Sequence, residues 1–328
     1  MSSKKFLLLS LFTVILSVCI SACSHNSPNA DREEALATLD AKIKKHPDNA
    51  ALLFERGKLL IAIGKEKQQS NYFKEAITDL DHAVNIDNSK PEYYTALADA
   101  HFSLGNVSQS YSALQNALKL DENNFEASLK MGEIAFYSRD YDRAMESLNK
   151  VTAQDNNNQT ALFMKGFIYK ETGDTANAVF YFRKLIDLYP DYEPAYEELG
   201  MLYAQHRNKL GLEYLSTALS LDPKNINVLY GLAMMYQDVE DPEKAEEYYV
   251  KILEIDPTNK YAWHNRGWME MVLYQDFNNA IDFFNKAIES DPQYAEAYYN
   301  LGCAYELSGN KSKAQEAYDK ASSLGYQR

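Results

Sequence analysis

Cysteine and histidine are the side chains best suited to metal binding and nucleophilic chemistry, and both are sparse in this chain of 328 residues. Cys303 stands alone in the C-terminal part with no histidine near it in sequence, so we expect a small, half-buried residue there. The six histidines show no His-Glu-x-x-His spacing, and no glycine-rich phosphate loop is present. The sequence therefore predicts no catalytic centre, no metal site and no cofactor.

Adjacent carboxylates and two short motifs are the other candidates for chemistry. Glu197-Glu198 and Glu246-Glu247 are most simply solvated helix surface. His46-Pro47-Asp48 matches the tripeptide of J-domain cochaperones, but no J-domain sequence surrounds it, and we interpret it as a turn between helices. Asp174-Thr175-Ala176 resembles the short acceptor motif for O-glycosylation in Bacteroides-type envelopes, which makes Thr175 a candidate acceptor in a turn between helices.

The first 22 residues have the layout of a secretory signal. Lys4 and Lys5 form a basic start, Phe6 to Ile20 is almost wholly apolar, and two small residues follow. The apolar run is short for a membrane span, which takes about 20 residues. Cys23 stands directly after these small residues, where cleavage of a signal peptide takes place.

The tetrapeptide Ile20-Ser21-Ala22-Cys23 resembles the lipobox of bacterial lipoproteins. The resemblance implies that residues 1–22 are removed, that Cys23 carries the acyl chains, palmitate among them, and that residues 23–31 form a tether. Ser24 after the cysteine implies the outer membrane, and the absence of an acidic run just after it favours the periplasmic side. An ordinary signal peptide with an accidental cysteine is the alternative.

Composition and charge exclude two classes, nucleic-acid-binding proteins and disordered chains. The net charge of −14 repels phosphate backbones, so nucleic acid is not expected as a partner. The 25 tyrosines and 14 phenylalanines are too many for a disordered chain. These properties predict a folded protein with an acidic, solvated surface.

One pattern recurs with a period of about 34 residues. With Ile226 as position 1, it places bulky residues at helical spacing, small residues at positions 8 and 20, and proline at position 32, here Pro257. The small residues allow two antiparallel helices to approach closely. Position 8 is occupied by Gly57, Ala98, Gly132, Gly166, Gly200, Ala233, Gly267 and Gly302, and position 20 by Ala76, Ser110, Ala144, Ala178, Gly211, Ala245, Ala280 and Ala314.

This pattern resembles the tetratricopeptide repeat (TPR) over residues 32–328. The resemblance implies an all-α fold, a TPR α-solenoid that winds as a right-handed superhelix of antiparallel helix pairs. We expect a capping helix over 32–46 and 17 helices in total, with an insertion in repeat one near 64–71, one residue fewer near 207–208 and one more near 275–276. The eight repeats start near Ala50, Pro91, Phe125, Gln159, Glu193, Ile226, Lys260 and Ala295.

In TPR proteins, positions 2, 5, 9 and 12 of each first helix face a concave groove, and the resemblance carries this to a partner-binding site here. Such a stripe of methionine and aromatic residues is also typical of a core, so both interpretations stay open. The carboxylate-clamp type of groove is not expected, because Lys58, Lys130 and Lys170 are not arrayed together. The candidate binding residues are Phe163, Phe167, Met201, Tyr230, Met234, His264 and Trp268, with Asp99, Glu126 and Glu133 as an acidic part for basic or polar groups.

We therefore expect a non-catalytic scaffold or adaptor that binds an envelope protein or a peptide segment in this groove. The TPR lipoproteins that it resembles organise peptidoglycan enzymes or assist secretion and pilus assembly, and the sequence does not choose between those. A self-assembling structural spacer is the alternative. A substrate-recognition arm of an enzyme is a third interpretation, which is disfavoured because the repeats leave no segment long enough for a catalytic domain.

Overall fold

In a computed structural model, residues 28–326 are described, with side chains from residue 31 onward. The lipobox, Cys23 and most of the expected tether lie outside the described residues. Over the described range the chain forms helices and no strands. The helices are α1 (Pro28–Lys45), α2 (Ala50–Lys67), α3 (Ser70–Ile86), α4 (Pro91–Ser103), α5 (Val107–Leu120), α6 (Phe125–Tyr137), α7 (Tyr141–Gln154), α8 (Gln159–Glu171), α9 (Thr175–Leu188), α10 (Glu193–Gln205), α11 (Leu210–Leu221), α12 (Ile226–Asp238), α13 (Pro242–Ile255), α14 (Lys260–Met269), α15 (Phe277–Ser290), α16 (Ala295–Leu307) and α17 (Lys311–Ser323).

The helices pair as eight antiparallel hairpins, from α2 with α3 to α16 with α17, and their first helices begin at Ala50, Pro91, Phe125, Gln159, Glu193, Ile226, Lys260 and Ala295. The helix α1 packs on α2 as the expected cap, but it begins at Pro28, inside the segment predicted as tether. Proline suits the first position of a helix because its missing N–H has no partner there in any case. The chain divides into two compact units, 28–120 with α1–α5 and 121–326 with α6–α17.

Asparagine or aspartate at the helix starts fixes many of the boundaries. Asn225, for example, accepts hydrogen bonds from the backbone N–H groups of Asn227 and Val228 and so begins α12. Such caps satisfy N–H groups that have no partner within the helix. The residues that cap helices in this way are Asn49, Asn124, Asp140, Asn158, Asp174, Asn225, Asp241, Asn259, Asp276 and Asn310.

Close approach at positions 8 and 20 is confirmed within single hairpins. Ser110 Oγ donates to the carbonyl of Ala98 at 2.7 Å, and a Cβ added to Gly211 would lie 3.0 Å from the carbonyl oxygen of Gly200. A Cβ at Gly166 would lie 2.8 Å from the ring of Phe182 in the paired helix. The small residues are therefore required by helix packing.

The length variations of the repeats have definite structural forms. The insertion in repeat one lengthens α2 to 18 residues, and Gly64 in the added part packs against Phe73. The extra residue of repeat seven is taken up by a π-turn at Glu270–Tyr274, directly after α14. No helix in the described part of the chain is both long and apolar enough to cross a bilayer.

Candidate functional site

The first helices of the repeats in the second unit are α6, α8, α10, α12, α14 and α16, and their open sides form what we call the inner face. First helices of successive repeats contact each other: α6 contacts α8, and α10 contacts α12. Each first helix also contacts second helices. This packing brings side chains from separate repeats into one row. Residues at the same position of successive repeats therefore lie next to each other on the surface.

Met234 and Trp268 are the most exposed apolar residues predicted for this face, at 40% and 36%. Met234 rests on the buried Tyr249, whose hydroxyl lies 3.3 Å from the Met234 sulfur and donates to Gln237 Oε1 at 2.6 Å. Burial raises the pKa of Tyr249. The tyrosine is therefore a fixed neutral support, and the methionine above it is available for contact.

Phe163 and Phe167 lie further along the row and are half-buried in an aromatic cluster. The ring of Phe163 packs edge to face on Tyr192 with centroids 5.7 Å apart, and Phe167 packs in the same manner on Phe136 at 5.4 Å. Lys170 Nζ lies 4.1 Å from the centre of the Phe167 ring. These rings join the first helices of repeats three and four and leave only part of their surface open.

Tyr230 continues the row and leads to a residue that the sequence did not single out. It accepts a hydrogen bond from Asn265 Nδ2 at 2.8 Å and packs against Tyr261, which in turn packs against Tyr294. Tyr261 is 49% exposed. It occupies position 2 of its repeat, a position expected to face the groove, so the repeat frame carried the signal that would have found it.

His264 does not belong to the accessible surface, contrary to its selection as a candidate contact. It is 6% exposed, its Nε2 lies 2.7 Å from Asn300 Nδ2, and its ring packs between Phe284 and Tyr294. Burial lowers its pKa, against the raising effect of Glu296 and Asn265. The side chain is enclosed because the aromatic residues of the paired helix and of the next repeat close over it.

The acidic part of the predicted groove is largely neutralised from within the protein. In the first unit, Lys65 Nζ lies 2.7 Å from Asp99, and in the second unit Lys130 Nζ lies 3.1 Å from Glu133. Glu126 is exposed in the first turn of α6. The expectation of an open acidic patch made by all three carboxylates is therefore not met, because two of them already have a lysine as counter-ion.

The inner face carries three other carboxylates, all from repeat five. The sequence analysis had assigned two of them, Glu197 and Glu198, to solvated helix surface. Glu193 and Glu197 both accept from Asn225 Nδ2, at 3.0 and 2.9 Å, and burial raises the pKa of Glu193. Glu198 is bonded to Lys170 at 2.6 Å. The solvated-surface interpretation was thus wrong for Glu198, because position 6 points toward the preceding repeat.

The short motifs have structural roles. His46-Pro47-Asp48 forms the turn between α1 and α2, as expected. Thr175 is the half-buried first residue of α9, directly after the capping residue Asp174, so its expected place in a turn between helices is wrong. Its glycosylation stays a prediction. Cys303 is a free, half-buried thiol, as expected. No group of three metal-ligating side chains occurs within residues 31–326.

Models of the tetratricopeptide repeat match residues 95–158, 159–192, 226–259, 262–294 and 283–316, which together span more than half of the chain. The chain is therefore built of tetratricopeptide repeats, and its fold is the all-α TPR solenoid. Proteins of this kind in general mediate protein–protein interaction and are not catalysts.

Two curated proteins illustrate the similarity. The chain is 22% identical to DnaJ homolog subfamily C member 7 of Mus musculus, over 88% of this chain and 63% of that protein. It is 25% identical to a TPR repeat-containing protein of Methanocaldococcus jannaschii, over 58% of this chain and 36% of the relative. The chain thus spans less than two thirds of either relative.

Solved structures show the same fold. A tetratricopeptide repeat protein from Parabacteroides merdae superposes with a TM-score of 0.57 at 18% identity, covering 74% of this chain and 95% of that one. PilF of Pseudomonas aeruginosa superposes with a TM-score of 0.54 at 20% identity, covering 64% and 96%. At these identities the likeness concerns the fold alone.

Proposed function

We propose that this protein is a lipid-anchored scaffold of the bacterial envelope that binds a segment of a partner protein along the inner face. The observation that supports it is the open apolar row of Met234, Tyr261 and Trp268, on a fold whose relatives mediate protein–protein interaction. These residues are not needed to close a hairpin, and exposed aromatic and methionine side chains are typical of interface centres.

The anchoring part of the proposal rests on the sequence around Cys23 alone. A diacylated and N-acylated cysteine would hold the repeats at the outer membrane on the periplasmic side, next to envelope assemblies. The partner would then be a component of a secretion, pilus or peptidoglycan-processing complex. Its bound segment would lie across repeats six and seven, which carry the open apolar row.

The first test combines site-specific crosslinking with alanine substitution of two side chains of the apolar row. A photoreactive residue at Tyr261 of the lipidated protein is irradiated in cells, and the adduct is identified after detergent extraction. Replacing Met234 and Trp268 together by alanine should weaken capture of that partner about tenfold or more, because a buried anchor contributes about 1–3 kcal/mol. Helicity by circular dichroism should remain unchanged, since both side chains are partly exposed.

The matched control places the photoreactive residue at Leu188, an equally apolar and 38% exposed position on a second helix. The same adducts from both positions would contradict binding at the inner face. Self-adducts alone from Tyr261 would instead support the self-assembling spacer.

A further inference from the structure

The turn between α14 and α15 is built differently from the other seven helix turns within repeats. After Met269 the chain continues as the π-turn Glu270–Tyr274, and the N–H of Asp276 donates to the carbonyl of Glu270 at 2.9 Å. Gln275 then takes a φ of 56° in the left-handed region. A π-turn absorbs one extra residue, so α15 keeps its pairing: a Cβ on Gly267 would still meet the ring of Phe284 at 2.8 Å.

Three consecutive apolar side chains are left open by this turn. Val272, Leu273 and Tyr274 are 45%, 46% and 49% exposed, and we call them the π-turn patch. The corresponding residues of repeat four are Glu171, Thr172 and Gly173, which are polar or small. The patch is therefore not a requirement of the repeat, and it exposes apolar surface that only an occupant would bury.

The rim of the patch is negatively charged. The pKa of Tyr274 is raised by burial first and then by the charges of Glu243, Glu246 and Glu270, which come from two different repeats. The pKa of Glu270 is raised by burial and then by Asp276 and Glu246, and Arg266 opposes this. Arg266 itself is bound to Glu246 at 2.6 Å. A surface of this sign repels phosphate groups and anionic lipid headgroups.

A second copy of the chain is also a poor occupant. In a symmetric dimer the same surface meets itself, which would bring the acidic rims of two copies together. A positively charged segment would be attracted by the same rim.

We propose that the π-turn patch is a second docking surface, separate from the inner face, for a partner-protein segment whose apolar side chains are flanked by lysine or arginine. Apolar side chains of the segment cover Leu273 and Tyr274, and its cationic groups lie against Glu243 and Glu270. The charges set orientation and association rate, and the apolar contact sets residence time.

The test uses three labelled synthetic helices of about 14 residues, or four turns, with the full chain, read by fluorescence anisotropy. One peptide is amphipathic with leucine and lysine, one has glutamate in place of lysine, and one has serine in place of leucine. We expect the leucine–lysine peptide to bind the full chain at least about tenfold more tightly than either of the others. Equal binding of the glutamate peptide would overturn the proposal.

Three variants locate the binding. Leu273→Ser with Tyr274→Ser should weaken it about tenfold or more, and Glu243→Gln with Glu270→Gln should weaken it and reduce its salt dependence. The control Leu188→Ser with Leu221→Ser removes two similarly exposed apolar side chains, 38% and 36%, from second helices and should leave binding unchanged.

Three results would overturn the proposal. Equal loss in the control pair would show non-specific binding to any exposed leucine. Loss in Met234→Ala with Trp268→Ala, but not in the patch variant, would place the peptide on the inner face and so support that surface alone. Self-association that sedimentation detects in the parent chain and not in the patch variant would assign the patch to a second copy.

Discussion

At the residue scale, side chains at the same repeat position differ in burial because the residues around them differ. Met201 and Met234 both occupy position 9. A Cβ on Gly231 would lie 2.8 Å from Met201 Cε, so this glycine makes room for the methionine of the preceding repeat. The matching residue of the next repeat is Asn265, and Met234 stays 40% exposed. One small residue in a neighbouring repeat thus separates a half-buried methionine from an exposed one.

His264 gives a pH prediction at this scale. Because its pKa is lowered by burial, folding favours the neutral ring, while the unfolded chain takes up a proton near its ordinary pKa of 6.5. The stability it contributes is present above pH 6.5 and is lost as the pH falls below that value toward its folded-state pKa. His264→Gln should therefore reduce the fall in melting temperature between pH 7.5 and 5, measured by circular dichroism.

The exposed His46→Gln variant is the control for this measurement and should keep the slope of the parent chain. His101, whose pKa is lowered by burial in the same direction, is present in all three proteins, so their difference isolates His264. A pH slope unchanged by His264→Gln would contradict the assignment.

At the element scale, every turn between the two helices of a repeat contains one residue with positive φ. Three of them are glycines, Gly105, Gly173 and Gly309. The other five are residues with side chains, for which this conformation is strained: Gln68, Arg139, Arg207, Glu240 and Gln275. The positive φ at this turn is therefore a property of the repeat. It is adopted without strain where the residue is glycine and with strain where the residue has a side chain.

Glycine at these positions should stabilise the fold. Glu240 has a φ of 61°, and Glu240→Gly should raise the free energy of unfolding by about 0.5–1 kcal/mol, because glycine adopts this conformation without strain. Gly173→Ala, at a φ of 83°, should lower it by about 1–2 kcal/mol. Urea unfolding followed by circular dichroism measures both changes.

The matched control is Asp238→Gly, two residues before Glu240 at the last residue of α12, which should not stabilise the fold because glycine is a poor helix former. Stabilisation by glycine at both positions would show that the effect does not come from the turn.

At the scale of the whole molecule, the repeats form two compact units, and the proposed binding surfaces both belong to the unit of residues 121–326. An acidic chain with a net charge of −14 needs an anchor other than electrostatic attraction to be held at an anionic membrane. The acyl chains that we propose on Cys23 would supply that anchor.

The proposed lipid anchor predicts that removal of the Cys23 thiol releases the protein from the membrane. Cys23→Ser should move it from the outer-membrane fraction to the soluble fraction, because no acyl chain can then be attached at that position. Membrane fractionation with immunodetection measures the distribution. Cys19→Ser, in the apolar run that precedes Cys23, is the control and should leave the protein with the membranes. Membrane retention of Cys23→Ser would refute lipid anchoring through this residue.

The candidate site could be predicted only in part. The repeat frame correctly indicated that Met234 and Trp268 are open, because their positions are not used for packing within a hairpin. The choice of candidates from this frame included His264, which is enclosed, and omitted Tyr261, which is open at position 2. It also assigned to a partner the charges of Asp99 and Glu133, which bind lysines of this chain.

The sequence by itself determined the helices, their pairing in repeats, and the close approach at positions 8 and 20, because these depend on interactions between residues near each other in the chain. The tertiary structure alone decided which groove residues stay open, which carboxylates are paired, and how the extra residue near Gln275 becomes a π-turn with an exposed patch. Those outcomes depend on side chains about one repeat away, and the same residue type is buried or exposed according to the size and charge of that neighbour.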